Sequence, residues 1–257
     1  MPGPGPIGAV TMDTVPAIAQ AEEWVALLDA DESLASALAP ATFTSALPAC
    51  LAGVRWLRPG AWQGAEDLGG PRWLGLLVLE GFLVRHVDVV GRPATELLGA
   101  GDLLRPWEPD RTAPFSSGAR WQVLEPCRVA LLDERVCAVI GRWPDLVAAL
   151  VGRALARSRE QAIALAVGQI PNMRLRLLVV LWHVAGRWGD PHEDGTVIPV
   201  RLTHELLANL TSAQRPSVSH ALTALRRRGL IDRTPDGRLV LCGEPPSALA
   251  RLRQDLA

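Results

Sequence analysis

Six side chains near the C-terminus have types and spacing suited to gripping a polyanion. Arg215, Ser217, Ser219, His220, Thr223 and Arg227 lie within TSAQRPSVSHALTALRRRGLI, Thr211 to Ile231. At ~100° per residue, Pro216, Ser219, His220, Thr223 and Arg227 share one side of a helix, with Arg215 on its N-terminal shoulder. Val218, Ala221, Leu222 and Leu225, spaced i, i+3, i+4, i+7, form the opposite, apolar stripe of a helix lying on a core. A guanidinium can chelate a phosphate or the O6 and N7 edge of guanine, and short hydroxyls and an imidazole add further donors and acceptors. No Asp or Glu occurs between Ser212 and Arg228 to oppose them. Pro216 falls in a first turn, where its missing N–H costs little. Arg226, Arg227 and Arg228 close the helix, where the dipole favours cations with or without a ligand. Of these three only Arg227 is taken as a phosphate contact.

Catalytic chemistry finds no comparable support. The sequence has no nucleophile–base pair, phosphate loop or metal-ligand spacing, and His86, His183, His192, His204 and His220 are scattered. Cys50, Cys127, Cys137 and Cys242 include no CxxC pair, so they read as small buried hydrophobes in a reducing cytoplasm. No enzyme, no catalytic residue, no cofactor and no metal site is expected.

The elements that must position the polar face are legible around it. Thr203 is placed to cap a helix in THELLAN, with Glu205 in its first turn. A tight turn leads into the polar-faced helix, which stops at Gly229, and LIDRTPDGRLVL then reads as strand, Pro-Asp-Gly turn and strand. Helix, short turn, helix and hairpin make a winged helix-turn-helix, whose second helix fits the major groove of double-stranded DNA with its N-terminal residues toward base edges. Arg215 is the candidate guanine reader. Arg233 and Arg238 on the wing are candidate minor phosphate contacts. Residues 171–245 are assigned to this unit, opening on an apolar helix after Pro171 in which His183 reads as a packed core residue.

Upstream, the chain runs without a breaker from Pro144 to Val167. Ala148, Val151, Leu155, Ser158, Ala162 and Leu165 recur at 3,4,3,4,3 spacing, a coiled-coil seam of about three heptads. Residues 144–170 are therefore a candidate homodimer helix, with Arg153, Arg157, Arg159 and Glu160 off the seam. Residues 21–143 form the remaining unit: a helix expected from Ala21 to Leu38, then short strands punctuated by Gly and Pro from about Val54 to Asp133, which suggest an antiparallel sandwich or roll. Residues 1–20 are too rich in Pro and Gly to be helical and read as a disordered tail rather than a signal peptide. Residues 246–257 are a C-terminal segment. The fold class expected is α+β: an N-terminal antiparallel β-roll, a long dimerisation helix and a C-terminal winged helix-turn-helix.

Charge follows the same division. All 26 basic residues are Arg. Residues 1–170 carry 14 Arg against 19 acids, whereas residues 171–257 carry 12 Arg against 8, so a net charge of −1 conceals a basic C-terminal part. No apolar run approaches the ~20 residues of a membrane helix, so a soluble, cytoplasmic protein without a membrane partner is expected.

The segment LTHELLANLTSAQRPSVSHALTALRRRGLIDRTPDGRLVL resembles, without a gap, the DNA-binding domain of the Crp/Fnr family of bacterial transcription regulators, in the form common among actinobacterial members. LLVLEGFLVRHVDVVGRPATELLGAGDLL is similar to that family's roll strands, with Gly81 at a turn and Gly101-Asp102 closing the next strand, and the resemblance spans about residues 21–245. It places Arg215 at the lead base-reading position, Pro216 and His220 at two further reading positions where cyclic-AMP-binding members carry an acid and an Arg, and Thr203, His204 and Glu205 at backbone-contacting positions. Two of the three reading residues differ, so the cyclic-AMP branch's target sequence does not carry over.

The roll resembles a cyclic-nucleotide-binding domain that has degenerated. Arg105-Pro106-Trp107 stands where nucleotide binders have Gly-Glu, and Arg111-Thr112 restores an Arg-Thr pair only between Pro109 and Pro114. Arg105, Trp107 and Arg111 are candidate effector-pocket residues for some other ligand, while Trp73, Trp107 and Trp121 can equally serve as core filling. The N-terminal cysteine cluster of the iron–sulfur branch is missing. The resemblance implies a homodimeric, sequence-specific DNA-binding transcription regulator acting on a pseudo-palindromic site. RNA polymerase and an unidentified small-molecule effector, not cyclic AMP, are further candidate partners. The competing expectation is a ligand-binding or protein-interaction dimer that keeps the fold without regulating a promoter.

Overall fold

The computed structural model describes residues 23–62, 68–70, 72–89, 92–107 and 118–245. The tail at 1–20, Arg111 and the segment 246–257 lie outside the described residues. The N-terminal part runs β1 (Glu23–Ala26), α1 (Leu27–Ala30), α2 (Glu32–Ala35), α3 (Pro40–Ala46), β2 (Leu51–Leu57), β3 (Gly60–Ala61), β4 (Gly75–Glu80), β5 (Leu83–Val89), β6 (Arg92–Leu98), β7 (Leu103–Leu104), β8 (Gly118–Val123), β9 (Cys127–Leu132) and α4 (Glu134–Ile140). The long helix α5 (Pro144–Gly168) follows. After it come α6 (Met173–Trp188), β10 (Asp190–His192), β11 (Gly195–Val197), α7 (His204–Leu210), α8 (Arg215–Arg227), β12 (Ile231–Arg233) and β13 (Leu239–Leu241).

Two antiparallel sheets, ordered β1-β2-β9-β4-β7 and β3-β8-β5-β6, form the roll, and a third, β10-β11-β13-β12, belongs to the C-terminal part. Strands β4 and β9 are apolar on both faces because both faces are covered. Leu76, Val78, Val129 and Leu131 pack with Leu83, Leu98, Trp121 and Val123 of the roll interior. Leu77, Leu79, Ala130 and Leu132 pack with Leu27, Leu34, Val136, Leu146 and Leu150 from the helices. Gly81 makes the β4–β5 turn at φ +84°, where a Cβ would lie 2.1 Å from the Pro126 carbonyl oxygen, so only glycine fits. The cysteines divide: Cys50 and Cys127 are buried, Cys137 and Cys242 only partly so. Burial pushes the Cys127 thiol up to about 12, which keeps it inert.

The helix expected from Ala21 to Leu38 forms only as the short α1 and α2. Glu23–Ala26 instead pairs antiparallel with β2, with Ala26 opposite Leu51. Asp31 then breaks the helical path at φ −137°, ψ 95°. Its carboxylate accepts the Leu34 N–H at 3.0 Å and receives both Arg153 terminal nitrogens at 2.5 and 2.6 Å. Sheet pairing and a distant arginine override the local helical preference.

Helix α5 carries two stripes on opposite sides. Leu146, Leu150, Arg153, Arg157, Glu160 and Val167 face the rest of the chain. Arg157 grips Glu96 through two bonds of 2.7 Å and donates to the Leu103 carbonyl at 3.0 Å. Arg153 adds the Asp31 pair, whose side chains are 14% and 9% exposed. Replacing Arg153 by alanine leaves Asp31 with an uncompensated buried charge, for which a loss of roughly 3 kcal/mol is expected in denaturant unfolding. The double variant R153M/D31L is expected to regain most of it, and an R153A protein as stable as the parent would refute this role for the pair.

Helices α6, α7, α8 and the third sheet enclose a third core containing Leu177, Leu181, Leu207, Val218, Leu222 and Leu241. Phe82, Val84 and Leu97 of the roll belong to the same core. The contact between the two parts is also polar: Arg187 donates to Asp102 Oδ1 at 2.6 Å, and Trp188 Nε1 to the Ala100 carbonyl at 3.1 Å. Burial pushes the Asp102 carboxyl above its ordinary pKa, opposed by Arg187 and by the Gly99 N–H. Among the described residues, no helix is long and apolar enough to cross a membrane.

Candidate nucleic-acid interface

Local chemistry sets the angle between α7 and α8. Thr203 begins α7, its hydroxyl accepting the Leu206 N–H at 3.1 Å. Thr211 ends it, fully buried, with its hydroxyl donating to the Leu207 carbonyl at 2.6 Å. Arg176 of α6 holds the Thr211 carbonyl at 3.1 Å, and Ser212 takes the left-handed conformation, φ 51°, that turns the chain. Loss of the Thr203 cap in T203A is expected to cost about 1 kcal/mol in urea unfolding, independently of any ligand. An unchanged midpoint would show that the cap bond contributes nothing.

Val218, Ala221, Leu222 and Leu225 are the buried side of α8, as the sequence spacing predicts. Arg215, Pro216, Ser217, His220, Thr223 and Arg227 are exposed, and Ser219 is half-buried. No side chain caps the α8 N-terminus at Gln214, so first-turn N–H groups and the Arg215 guanidinium stand together at one end of the helix. The face is less uniform than its composition suggests. The Ser219 hydroxyl donates to the Arg215 carbonyl at 3.1 Å and lies 2.8 Å from His204 Nδ1, which joins α8 to α7. The Thr223 hydroxyl donates back to the Ser219 carbonyl at 3.0 Å. These two hydroxyls retain only acceptor capacity toward an incoming group.

The arginines also separate. Arg226 pairs with Asp232 of the wing at 3.1 Å, whereas Arg215, Arg227 and Arg228 form no ion pair with any described carboxylate. Arg233 and Arg238, the candidate minor phosphate contacts, bond within the wing: Arg233 donates to the Gly237 carbonyl at 2.7 Å and Arg238, itself exposed, to Asp236 Oδ2 at 2.6 Å. Arg201 was not singled out by its sequence. It is exposed beside the wing turn, with its Nε 3.7 Å from where a Gly237 Cβ would stand. Its only signal was its place two residues before the cap Thr203.

The other candidate residues lie apart from this surface. Ala148, Val151, Leu155, Ser158, Ala162 and Leu165 of α5 are all exposed or half-buried in the single chain, Leu155 and Leu165 at 57% and 74% exposure. Arg105 lies over Trp107, 5.8 Å from its ring centroid, and Trp107 packs edge-on against Trp73 at 5.9 Å. The Trp107 ring presses on Gly69 so closely that a Cβ there would lie 2.4 Å away. The structure thus brings Arg105 and Trp107 together. His183, read as a core residue, is partly exposed, and its Nε2 lies 2.5 Å from Glu160 Oε2.

Residues 175–252 match the Crp-like helix-turn-helix domain. No curated protein sequence matches the chain. Among solved structures it is similar to FixK2 from Bradyrhizobium japonicum, with a TM-score of 0.57 and 16% identity over 78% of this chain and 96% of that one. A CRP-family transcriptional regulator from Thermus thermophilus gives 0.54 and 24% identity over 77% and 95%. A CooA mutant from Carboxydothermus hydrogenoformans gives 0.55 and 19% over 79% and 87%. At these identities the likeness is one of fold.

Proposed function

We propose that this chain, whose residues 175–252 match the Crp-like helix-turn-helix domain and whose fold is like that of a CRP-family regulator, is a homodimeric, sequence-specific transcription regulator. The observation that carries this is the exposed, acid-free face of α8, with Arg215 in no ion pair among the described residues, beside an uncapped helix N-terminus. Arg215 reads guanine, His220 reaches a second base or a phosphate one turn along, and Ser217, Arg227 and the α7 start at Thr203 and His204 fix the backbone. Ser219 and Thr223 accept rather than donate there. Arg201 adds a phosphate contact beside the wing.

Two copies pair through the exposed α5 row and set their α8 helices into successive major grooves ~34 Å apart on a pseudo-palindromic duplex. Effector control, where it operates, turns the C-terminal parts about Gln169-Ile170-Pro171, a shift between two populated arrangements. A cyclic nucleotide is not the effector proposed, because Pro106 and Trp107 offer bulk where a phosphate needs N–H donors. Selection from a random duplex library by the purified full chain, read by sequencing, tests the reading. A two-fold symmetric motif with half-sites about one turn apart is expected. Enrichment of no motif, with or without cell extract added, would overturn it.

A further inference from the structure

We propose that the junction of roll, α5 and C-terminal part is a binding site for a lipophilic organic acid, separate from the Arg105–Trp107 region. A cavity of about 400 Å³ opens there, bounded by the β5–β6 hairpin, the last third of α5, α6 and the α7–α8 turn. Cavities of roughly 300–1,000 Å³ accept drug-sized ligands. Its walls are mainly apolar, with Val87 and Leu97 from the roll, Ile163 and Val167 from α5, Val184 from α6 and Leu210 from α7.

The charges on the walls identify the polar end of the ligand. Glu96 is already taken, by the two Arg157 bonds of 2.7 Å and by Gln161 at 3.3 Å. Arg187 is taken by Asp102 at 2.6 Å, and Glu160 Oε2 lies 2.5 Å from His183 Nε2 but, among the described residues, is buried without a hydrogen bond. Arg85 is different. Its terminal nitrogen comes no nearer to Glu96 than 4.0 Å, and its guanidinium stands 5.9 Å from the Trp121 ring centroid. Its Nε is buried and, among the described residues, has no hydrogen-bond partner. A buried donor left unmade costs free energy that an acceptor supplied by a ligand would return. A carboxylate or sulfonate at Arg85, with an apolar body toward Ile163 and Val184, satisfies both walls.

The site rests on the regulator reading only for its consequence: an occupant touching roll, α5 and α6 at once would hold the C-terminal part in one position relative to α5. Binding itself can be read without DNA. Titration of the full chain with 1-anilinonaphthalene-8-sulfonate, followed by fluorescence and calorimetry, is expected to give one saturable site per chain. Arg85→Met keeps the apolar stem and is expected to weaken it at least about tenfold. Ala94→Trp, at an exposed strand position on the cavity wall, is expected to abolish it, with near-UV dichroism confirming the fold of both variants. N-phenyl-1-naphthylamine, the same body without the sulfonate, is expected to bind at least about tenfold more weakly and to be indifferent to Arg85→Met. No saturable site, or dye binding unchanged in both variants, would overturn the cavity. Equal affinity for the two dyes would overturn the acid.

Discussion

Replacing Arg215 by alanine is expected to weaken binding to the selected duplex by about 30-fold to about 20,000-fold. A bidentate guanidinium–guanine contact contributes ~1–3 kcal/mol of discrimination. A two-fold symmetric complex loses it twice, so ~2–6 kcal/mol disappears, at 1.4 kcal/mol per tenfold. Among the described residues nothing competes for this side chain: it is exposed, at the first position of α8, with no ion pair to a described carboxylate. Stability should therefore hold while affinity falls. Arg226 supplies the contrast, because its 3.1 Å pair with Asp232 already occupies it, and R226A is expected to change affinity far less. Lysine at 215 keeps the charge but not the fork, so R215K should retain binding to unrelated sequence and lose preference for the motif. Fluorescence anisotropy at one fixed salt concentration measures all three variants. An R215A protein with parental affinity for the motif would remove α8 as the reading helix.

Glutamate at Leu155 is expected to break the proposed dimer, raising its dissociation constant roughly 1,000-fold or more. Leu155 lies mid-way along the exposed α5 row and is 57% exposed in the single chain, beside Val151 at 51%. Burying such a side chain against a partner is worth about 2 kcal/mol. The symmetric pair loses about 4 kcal/mol, and two carboxylates then face each other across the axis. The same residue touches little at home, so L155E should stay folded, and sedimentation equilibrium with near-UV dichroism separates the two effects. Affinity for the two-half-site duplex should fall with it, since a lone chain holds only one half-site. A dimer that persists in L155E would move the subunit interface away from α5.

The single-sided elements were the legible ones. The buried set of α8 follows from its 3.6-residue spacing because one face meets a core and the other does not. The wing was readable from Pro-Asp-Gly, where turn chemistry is local. What escaped was settled by distant partners. Arg153 and Arg157 could be placed off the exposed row, but their targets, Asp31 and Glu96, lie 122 and 61 residues away. The stretch from Ala21 to Leu38 read as helix because its apolar residues allow one, while the free edge of β2 takes Glu23–Ala26 as a strand. On α8 itself, spacing alone could not show that Ser219 and Thr223 spend their hydrogens on the helix backbone, or that two wing arginines fold back on the hairpin.

Phe82, Val84 and Leu97 are strand and turn residues of the roll, yet they complete the core around α6 and α7. The chain therefore cannot be cut at Pro171 into two self-sufficient pieces. Grafting the C-terminal part onto a different chain of this fold would strip away one wall of its core. A workable chimera would have to carry the β5–β6 hairpin along with it, and the seam of the graft would run through the roll rather than through the hinge.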